Sequence, residues 1–332
     1  MSEDIKAQIE EICDILQKKD NFIILSHTRP DGDTLGSAFA LREALTLLGK
    51  HAEVANDDII ENKFFYLTGG NNSLNPSFKP GCVLAVDIAS ENLIGDELRQ
   101  RYTGKVDVCI DHHRTHDAFA PVRLVAPEYA ATAEIIYEIV IALGVEFNQN
   151  IARAIYTGVL TDTGCFMYSN TTAHTHLVAM EAIKTGIDFV ALNNAFYMNK
   201  TLGQINLEKH IYNSIEFYFD GKLSLASVTL KDIEEAKAEN ADIDGLSALM
   251  RGIEGVEASV LIKETKDGSF KVSMRSKGGV DVSEICAVFG GGGHKGAAGC
   301  SFGGKSLEEV KKILLDELES RFKLATGANE RN

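Results

Sequence analysis

The sequence lacks the features that would place this protein in a membrane or in the secretory pathway. The 332-residue chain has no apolar run of about 20 residues, the length that a bilayer span requires. Its six cysteines form no CxxC pair, which favours reduced thiols in a cytosolic protein over a disulfide or zinc framework. The N-terminal segment is acidic and amphipathic, without a basic stretch followed by an apolar core, so we expect no secretory signal. These absences predict a cytoplasmic protein with no membrane contact.

Positive charge is also scarce. The chain carries 33 lysines and arginines against 48 aspartates and glutamates, a formal net charge of −15. Proteins that bind duplex DNA generally have a basic face, and proteins that follow long single strands generally have a ladder of aromatic residues. Neither pattern is evident, so we expect no long duplex partner. Any nucleic acid should be bound as a short piece in a local pocket.

Strands and helices alternate in the first part of the chain. Four apolar runs predict strands, at 22–25, 51–55, 82–87 and 106–111. Helical periodicity predicts helices over 3–19, 35–49, 131–144 and 151–164. This alternation predicts an α/β fold whose N-terminal domain is a mainly parallel sheet with helices on both faces.

The pattern changes after about residue 200. Two hairpins are predicted, over 215–230 with a turn at Asp220-Gly221 and over 256–276 with a turn at Asp267-Gly268. Further helices are predicted over 201–214, 281–289 and 306–322. We therefore predict a smaller C-terminal α/β substrate-binding domain. The predicted divisions are a domain at 1–200, a helical linker at 201–213, a second domain at 214–323 and a polar tail at 324–332.

Acidic and histidine motifs follow apolar segments of the N-terminal domain. They are SHTRPDGD (26–33), VDIAS (86–90), Asp111-His112-His113 and TDTG (161–164). Aspartate is rarely buried unless it is paired or binds a metal, and parallel strands deliver their carboxyl ends to one rim. Oxygen ligands mixed with imidazole suit Mn²⁺ or a similar divalent ion. The motifs therefore predict a metal site at one rim of the sheet.

His27, Asp31 and Asp33 lie within one predicted strand-to-helix turn, where three ligands can converge on one ion. The alternative is that Asp31 and Asp33 cap the helix that begins near Thr34. Capping accounts for one acid and leaves the histidine and the second acid unexplained.

With the remaining candidate residues, the motifs supply more ligand groups than one metal ion needs. Asp87 and Asp111 end apolar strands, and His112 and His113 offer a ligand and a phosphate donor. A structural imidazole is the alternative for His113, and a helix-end cap is the alternative for Asp162. Together the groups favour two metals about 3.5–4 Å apart, which can hold a bridging hydroxide for in-line phosphoryl displacement.

The C-terminal candidates are suited to an anion. The segment FGGGGHKGAAG (289–299) exposes backbone N–H groups that can surround a phosphate, and a flexible loop is the alternative. Arginine offers a planar pair of donors for phosphate. The predicted substrate-binding residues of this region are Arg275, Ser276, Gly292, Gly293 and His294. Lys271, Lys277 and Lys295 add local positive charge, although Lys271 and Lys277 could equally be solvated strand residues.

These motifs, in this order, resemble the DHH phosphoesterase superfamily, and the glycine-histidine segment resembles its DHH-associated C-terminal domain. The resemblance covers nearly the whole chain and is closest to the bacterial nanoRNase and pAp-phosphatase group. It implies a phosphoesterase that degrades short oligoribonucleotides to mononucleotides and dephosphorylates 3′-phosphoadenosine 5′-phosphate (pAp). It also implies two Mn²⁺ ions, with Mg²⁺ or Co²⁺ as alternatives, and hints at a homodimer.

The resemblance also assigns the candidate ligands. It gives His27, Asp31 and Asp87 to one ion, with Asp162 beside them. Asp33, Asp87, His112 and Asp162 belong to the other ion, with Asp87 bridging the two. It places His113 at the scissile phosphate, so the predicted catalytic residues are Asp87, His113 and Asp162.

One position departs from the family, in which asparagine is frequent three residues after the second histidine of the motif. Here that residue is His116, which we predict to be exposed. His174 and His176 follow a helix-start signal and are predicted to lie on a helix surface.

Other functions remain open at this stage. Another enzyme of the superfamily, acting on linear or cyclic dinucleotides such as pApA or c-di-AMP, would show the same motifs. A family II pyrophosphatase is less favoured because of the C-terminal glycine-histidine segment. A non-catalytic nucleotide-binding module predicts at least one lost ligand, whereas every matching position is intact.

Overall fold

The computed structural model describes residues 2–239, 243 and 245–329, apart from the side chains at 248, 294 and 323–329. The chain forms two compact units that divide between Asn199 and Lys200. Within the described residues, no helix is long and apolar enough to cross a membrane.

The first unit contains eight α-helices and five strands among its described residues. The helices are α1 (Glu3–Lys18), α2 (Gly32–Leu47), α3 (Phe65–Thr68), α4 (Asp96–Tyr102), α5 (Thr132–Ala142), α6 (Gln149–Asp162), α7 (Ala173–Lys184) and α8 (Phe189–Asn193). The strands are β1 (Phe22–Leu25), β2 (Ala52–Ala55), β3 (Cys82–Val86), β4 (Val108–Asp111) and β5 (Val122–Val125). Single turns of 3₁₀-helix cover Asn62–Phe64 and Glu91–Leu93, and a π-helical turn covers Asn194–Met198.

The five strands form a parallel sheet in the order β2-β1-β3-β4-β5. Side chains alternate between its faces, as the pleat requires. Phe22 and Ile24 join the core formed with α1, α2, α5 and α6, whereas Ile23 and Leu25 join the core that contains Leu98 of α4. Both faces are therefore covered by helices, and the predicted α/β fold is confirmed.

Several short elements of this unit were not predicted, among them α3, α4, α8 and β5. Strand β5 has only four residues, and Leu124 alone is fully buried, so its apolar signal is weak. Helix α4, with the sequence DELRQRY, buries Leu98 and Tyr102 and exposes most of its charged residues. Short elements at the periphery carry too few buried residues for periodicity to reveal them.

Helices α2, α5 and α6 approach one another closely at Gly158. A Cβ atom at this position would lie 2.5 Å from Cβ of Ala133 on α5 and 2.7 Å from Oδ1 of Asp33 on α2. Such distances are below van der Waals contact, so only glycine fits without a shift of the neighbours. The missing side chain therefore lets α6 pack directly against Asp33.

The second unit is built on a mixed sheet. Its helices are α9 (Leu202–Ser214), α10 (Leu230–Ala236), α11 (Leu246–Arg251), α12 (Val282–Val288) and α13 (Leu307–Asn329). Its strands are β6 (Glu216–Tyr218), β7 (Leu223–Val228), β8 (Ala258–Glu264), β9 (Phe270–Ser276), β10 (Gly292–His294) and β11 (Ala297–Phe302). The strand order is β10-β11-β9-β8-β7-β6, with β7 and β8 parallel and the other pairs antiparallel.

Both predicted hairpins are present. Asp220 and Gly221 take left-handed conformations (φ 55° and 82°) between β6 and β7, and Gly268 does so (φ 76°) between β8 and β9. The glycine segment forms a third hairpin, β10 to β11.

The predicted end of the last helix requires a correction. Helix α13 continues to Asn329, well beyond the predicted end at residue 322, so most of the segment 324–332 is helical. Leucine and alanine in this segment have high helix propensity, and no proline stops the helix. Residues 330–332 lie outside the described part of the chain.

We predict that Gly158→Ala lowers the free energy of unfolding by about 1–3 kcal/mol, the usual cost of forcing extra volume into a packed site. Thermal or urea denaturation measures this loss. Gly303→Ala is the control, because a Cβ atom at that exposed position meets nothing within 4 Å. Equal stability of the two variants would contradict the close approach of the three helices.

Candidate active site

The candidate site lies where the parallel strands of the first unit end. His27 follows β1 by one residue, Asp87 directly follows β3, and Asp111 is the last residue of β4. Asp87 has a left-handed backbone conformation (φ 58°), which aspartate tolerates better than most residues. Asp162 is the last residue of α6. The fold thus brings residues that are up to 135 positions apart to one rim of the sheet.

One group of candidate ligands consists of His27, Asp31 and Asp87, whose ligand atoms lie within 4.8 Å of one another. Nε2 of His27 is 3.6 Å from Oδ1 of Asp31 and 3.6 Å from Oδ2 of Asp87. Nδ1 of His27 is 2.8 Å from the carbonyl oxygen of Thr28, which assigns the proton to Nδ1 and leaves the lone pair of Nε2 for a metal.

Asp31 has a second role in this group. Its Oδ1 accepts hydrogen bonds from the backbone N–H groups of Asp33 (2.9 Å) and Thr34 (3.1 Å), so Asp31 is the N-cap of α2. The capping alternative from the sequence is therefore correct for Asp31, although the same carboxylate also faces His27. It is wrong for Asp33, which lies inside the helix.

A second group is centred on His112. Its Nε2 lies 3.3 Å from Oδ2 of Asp162, 3.7 Å from Oδ1 of Asp87 and 3.9 Å from Oδ2 of Asp33. Nδ1 of His112 is 3.2 Å from the carbonyl oxygen of Tyr129 and can donate to it, which directs Nε2 to the rim. Asp87 therefore presents Oδ2 to His27 and Oδ1 to His112, as a bridging carboxylate would.

His113 lies beside these groups and is held by a buried carboxylate. Its Nδ1 is 2.7 Å from Oδ1 of Asp111 and 3.7 Å from Oδ1 of Asp87. The hydrogen bond to Asp111, opposed by burial, raises the pKa of His113 to about 9. The imidazole is therefore protonated at neutral pH and can offer its remaining N–H to an anion.

Helix α5 supplies contacts that were not predicted. The backbone N–H groups of Thr132 and Ala133 donate to Oδ2 and Oδ1 of Asp33, at 2.7 and 2.9 Å. The hydroxyl of Thr132 donates to Oδ1 of Asp87 at 2.9 Å. These residues are about 100 and 45 positions away from their partners. A small-residue stretch at a helix start was the only sequence signal for them.

The electrostatics of the rim favour bound cations. Burial, together with the charges of Asp87, Asp162 and Asp31, raises the pKa of Asp33 well above its usual value. Burial and the charges of Asp87 and Asp31 do the same for Asp162. Burial lowers the pKa of His27, but Asp31 and Asp87 outweigh it and raise that pKa to about 11. Crowded acids that hold protons so strongly fit divalent cations, which would replace those protons.

The prediction that His116 is exposed is wrong. Its side chain is 6% exposed, and its ring stacks on Phe119 with the ring centres 5.4 Å apart. Nε2 of His116 lies 3.3 Å from Sγ of Cys109 and 3.9 Å from Oδ2 of Asp111. The turn after β4 folds back over Cys109 and shelters the imidazole, an arrangement that local polarity does not reveal.

His174 and His176 lie on α7, as predicted, and outside the groups of converging ligand atoms in the described residues. His176 is exposed and stacks on Phe166, whereas His174 is half-buried and lies 3.2 Å from Oε1 of Glu138.

In the second unit, the sheet register aligns part of the predicted substrate site. Arg275 of β9 is paired with Ala297 of β11, which is paired with position 294 of β10. These three positions therefore form one row across the sheet. Gly292 and Gly293 are exposed on β10, the edge strand. The side chain of His294 lies outside the described part of the chain.

Ser276 is placed differently from its neighbour Arg275. Successive residues of a strand point to opposite faces, and Ser276 is buried. Its hydroxyl accepts a hydrogen bond from the backbone N–H of Gly278 at 3.0 Å. Its role in substrate binding, like that of the other C-terminal candidates, stays a prediction.

Comparison with known proteins identifies the class to which this site belongs. Residues 21–159 match the DHH family, N-terminal domain, and residues 222–323 match the DHHA1 domain. The chain therefore belongs to the DHH family, and the superfamily resemblance is confirmed.

Curated relatives define the group within that family. The chain is 33% identical to the bifunctional oligoribonuclease and PAP phosphatase NrnA of Thermus thermophilus, over 88% of this chain and 87% of that protein. It is 29% identical to the NrnA protein of Bacillus subtilis, over 92% of this chain and 96% of that protein.

Solved structures agree with this fold. An exopolyphosphatase-related protein from Bacteroides fragilis superimposes with a TM-score of 0.90 at 24% identity, covering 97% of this chain and 98% of that chain. Exonuclease RecJ bound to manganese has a TM-score of 0.52 at 14% identity, covering 95% of this chain and 94% of that chain.

We predict that Thr132→Val weakens divalent-metal binding by about 10- to 100-fold, the usual cost of losing a partner that orients a metal ligand. The substitution keeps the shape of the side chain and removes the hydroxyl that donates to Asp87. Equilibrium dialysis of Mn²⁺ measures the change. Thr132→Ser retains the donor and should bind Mn²⁺ within about threefold of the original protein; equal loss in both variants would rule out the hydrogen bond as the cause.

Proposed function

We propose that this protein is a Mn²⁺-dependent phosphoesterase that degrades short oligoribonucleotides to mononucleotides and dephosphorylates pAp. The observation that carries the proposal is the position of Asp87, which presents one carboxylate oxygen to His27 and the other to His112 and His113. The similarity to NrnA proteins along most of the chain supports the same substrates.

Six residues would hold two cations in this mechanism: His27, Asp31, Asp33, Asp87, His112 and Asp162. Two bound Mn²⁺ ions, or Mg²⁺ or Co²⁺ in their place, would lower the pKa of a shared water to about 7 and offset the charge of the phosphate. Asp33 is fixed for this purpose by two backbone N–H groups, and Asp87 is fixed by the Thr132 hydroxyl.

His113 would act on the phosphate directly. Because Asp111 accepts its Nδ1–H, the ring orientation is set and Nε2–H is left for a phosphate oxygen. A protonated imidazole stabilises charge that develops on that oxygen during the reaction. Asp87, His113 and Asp162 are therefore the proposed catalytic residues.

The second unit would bind the rest of the substrate. We propose residues 1–200 as the catalytic domain, 201–213 as the linker and 214–323 as the substrate-binding domain. Arg275 would pair with a phosphate through two N–H groups. Position 294 of the edge strand lies in the same row of the sheet as Arg275, and the exposed backbone of Gly292 and Gly293 lies in the two adjacent rows. A cytoplasmic location and a homodimer stay predictions of the sequence.

We predict that the Mn²⁺-loaded protein hydrolyses pAp and RNA of two to five nucleotides and leaves cyclic dinucleotides and pyrophosphate intact. Asp162→Asn should reduce kcat more than about 100-fold, because even the loss of an outer partner of a metal ligand costs about 10- to 100-fold. Chromatography of the products measures both results.

The same panel separates the competing functions. Intact pAp and intact dinucleotides with the Mn²⁺-loaded protein would refute the proposal. Preferential cleavage of pApA or c-di-AMP would instead favour the dinucleotide phosphodiesterase. Asp14→Asn is a control for loss of one acid, because Asp14 is exposed on α1 and pairs with Lys18.

We predict that Arg275→Ala raises KM by at least about 10- to 100-fold, because even one charged hydrogen bond to phosphate contributes that much and alanine removes both N–H groups. Mn²⁺ affinity and kcat should stay within about threefold, since the candidate metal ligands all belong to the first unit. Steady-state kinetics with pAp and metal dialysis measure the two effects, and Arg275→Lys should be intermediate. If Arg275→Ala instead lost Mn²⁺ binding and kept its KM, the assignment of substrate binding to the second unit would be wrong.

A further inference from the structure

A small acidic cavity lies in the first unit, beside the start of α5. Its volume is about 260 Å³. The residues that line it are Ser2, Glu128, Tyr129, Glu134, Glu138, Thr172 and His174. Three of these seven residues are glutamates, and none is lysine or arginine. The cavity therefore combines several negative side chains with no fixed positive charge among its lining residues.

Glu134 is the least solvated of these acids. It is 0% exposed, and neither carboxylate oxygen has a hydrogen-bond partner in the described part of the chain. Burial raises the pKa of Glu134, against the weaker opposing effects of the Thr175 hydroxyl, the His174 imidazole and the Ala130 backbone, none of which makes a hydrogen bond of full geometry to the carboxylate. A buried carboxyl group with no partner of good hydrogen-bond geometry is costly unless another group enters the cavity or a proton is retained.

Two further groups face the same space. Oε1 of Glu138, whose side chain is 18% exposed, lies 3.2 Å from Nε2 of His174. That nitrogen is buried and makes no hydrogen bond of acceptable geometry with the described residues. Glu128 is exposed at the mouth of the cavity. The cavity thus offers oxygen and nitrogen donors from both buried and exposed lining residues.

The dimensions favour a cation that keeps its water. The volume is much larger than the share of about 30 Å³ that one water takes in the liquid. Among the described residues, the groups of ligand atoms within 4.8 Å of one another all lie at the rim, so these donors are too far apart for a bare ion. Mg²⁺ gives up its waters reluctantly and is generally bound by one or two carboxylates.

The cavity adjoins the segment that supports the rim. The Tyr129 carbonyl faces His112, and the backbone N–H groups of Thr132 and Ala133 hold Asp33. Tyr129 and Glu134 of the cavity lie on either side of Thr132 and Ala133 in the sequence. An ion in the cavity would therefore stabilise the segment 129–134 that supports the rim.

We propose that this cavity binds one hydrated Mg²⁺ ion, held by the carboxylates of Glu134 and Glu138 and separate from the cations of the rim. The site does not depend on the phosphoesterase proposal, because it requires only the acidic cavity. Its effect is on the stability of the first unit.

Thermal denaturation of the full chain, loaded with Mn²⁺ and then freed of unbound Mn²⁺ by gel filtration, tests the site. Added Mg²⁺ at about ten times its dissociation constant should raise Tm by about 3–6 °C. The rise should disappear in Glu134→Gln, which keeps the shape of the side chain, and shrink in Glu138→Gln. It should persist in Glu146→Gln, which removes an exposed charge outside the cavity. Any exchange of Mg²⁺ for Mn²⁺ at the rim should change Tm equally in the original protein and in the three variants, so it does not affect the differences between them.

Equilibrium dialysis under the same conditions counts the ions. The original protein should bind about one more Mg²⁺ per chain than Glu134→Gln. An unchanged Mg²⁺ response in Glu134→Gln, or an equal rise in Tm with KCl at the same ionic strength, would overturn the proposal. If Glu134→Gln does not fold, an undiminished response in Glu138→Gln overturns it.

Discussion

Mutual repulsion among buried carboxylates at one rim of the sheet is the constraint on which the first unit depends. Asp33 and Asp87 are almost fully buried, and Asp162 is close enough to raise the pKa of Asp33. Carboxylates in such a position must retain protons or meet cations. The surrounding hydrogen bonds hold the carboxylates in positions that suit bound cations. His27 and His112 each use Nδ1 for a backbone carbonyl and turn Nε2 to the acids.

The start of helix α5 is the structural element that makes this possible. Its first N–H groups have no partner within the helix, and two of them are used for Asp33. One turn of backbone therefore stabilises an acid that lies about 100 residues earlier in the chain. The glycine at 158 removes the side chain that would separate α6 from this junction. The close packing of the helices and the stabilisation of the Asp33 carboxylate therefore occur at the same place. The same turn of α5 also positions Glu134 in the neighbouring cavity.

Much of this arrangement could be predicted because local sequence and chain direction decide it. The acids at 87 and 111 end apolar runs, and parallel strands bring such ends together. The position of the site at one rim of the sheet could therefore be predicted from the sequence pattern. The burial of His116 depends on a turn folding back onto Cys109, which no local signal reports. Thr132 and Tyr129 contact the site through backbone or hydroxyl groups that many residue types could supply. The extent of α13 was underestimated because polar residues at a chain end resemble a coil as much as an exposed helix.

The two edges of the second sheet have a consequence for solubility. Both edge strands, β6 and β10, contain only three residues. Exposed edges are templates for pairing with other chains, and long flat ones promote aggregation. A strand that is short and rich in glycine offers few hydrogen bonds and little apolar surface to an incoming strand. The exposed backbone at Gly292 and Gly293 can thus remain open to a small ligand without making the protein prone to edge-to-edge assembly.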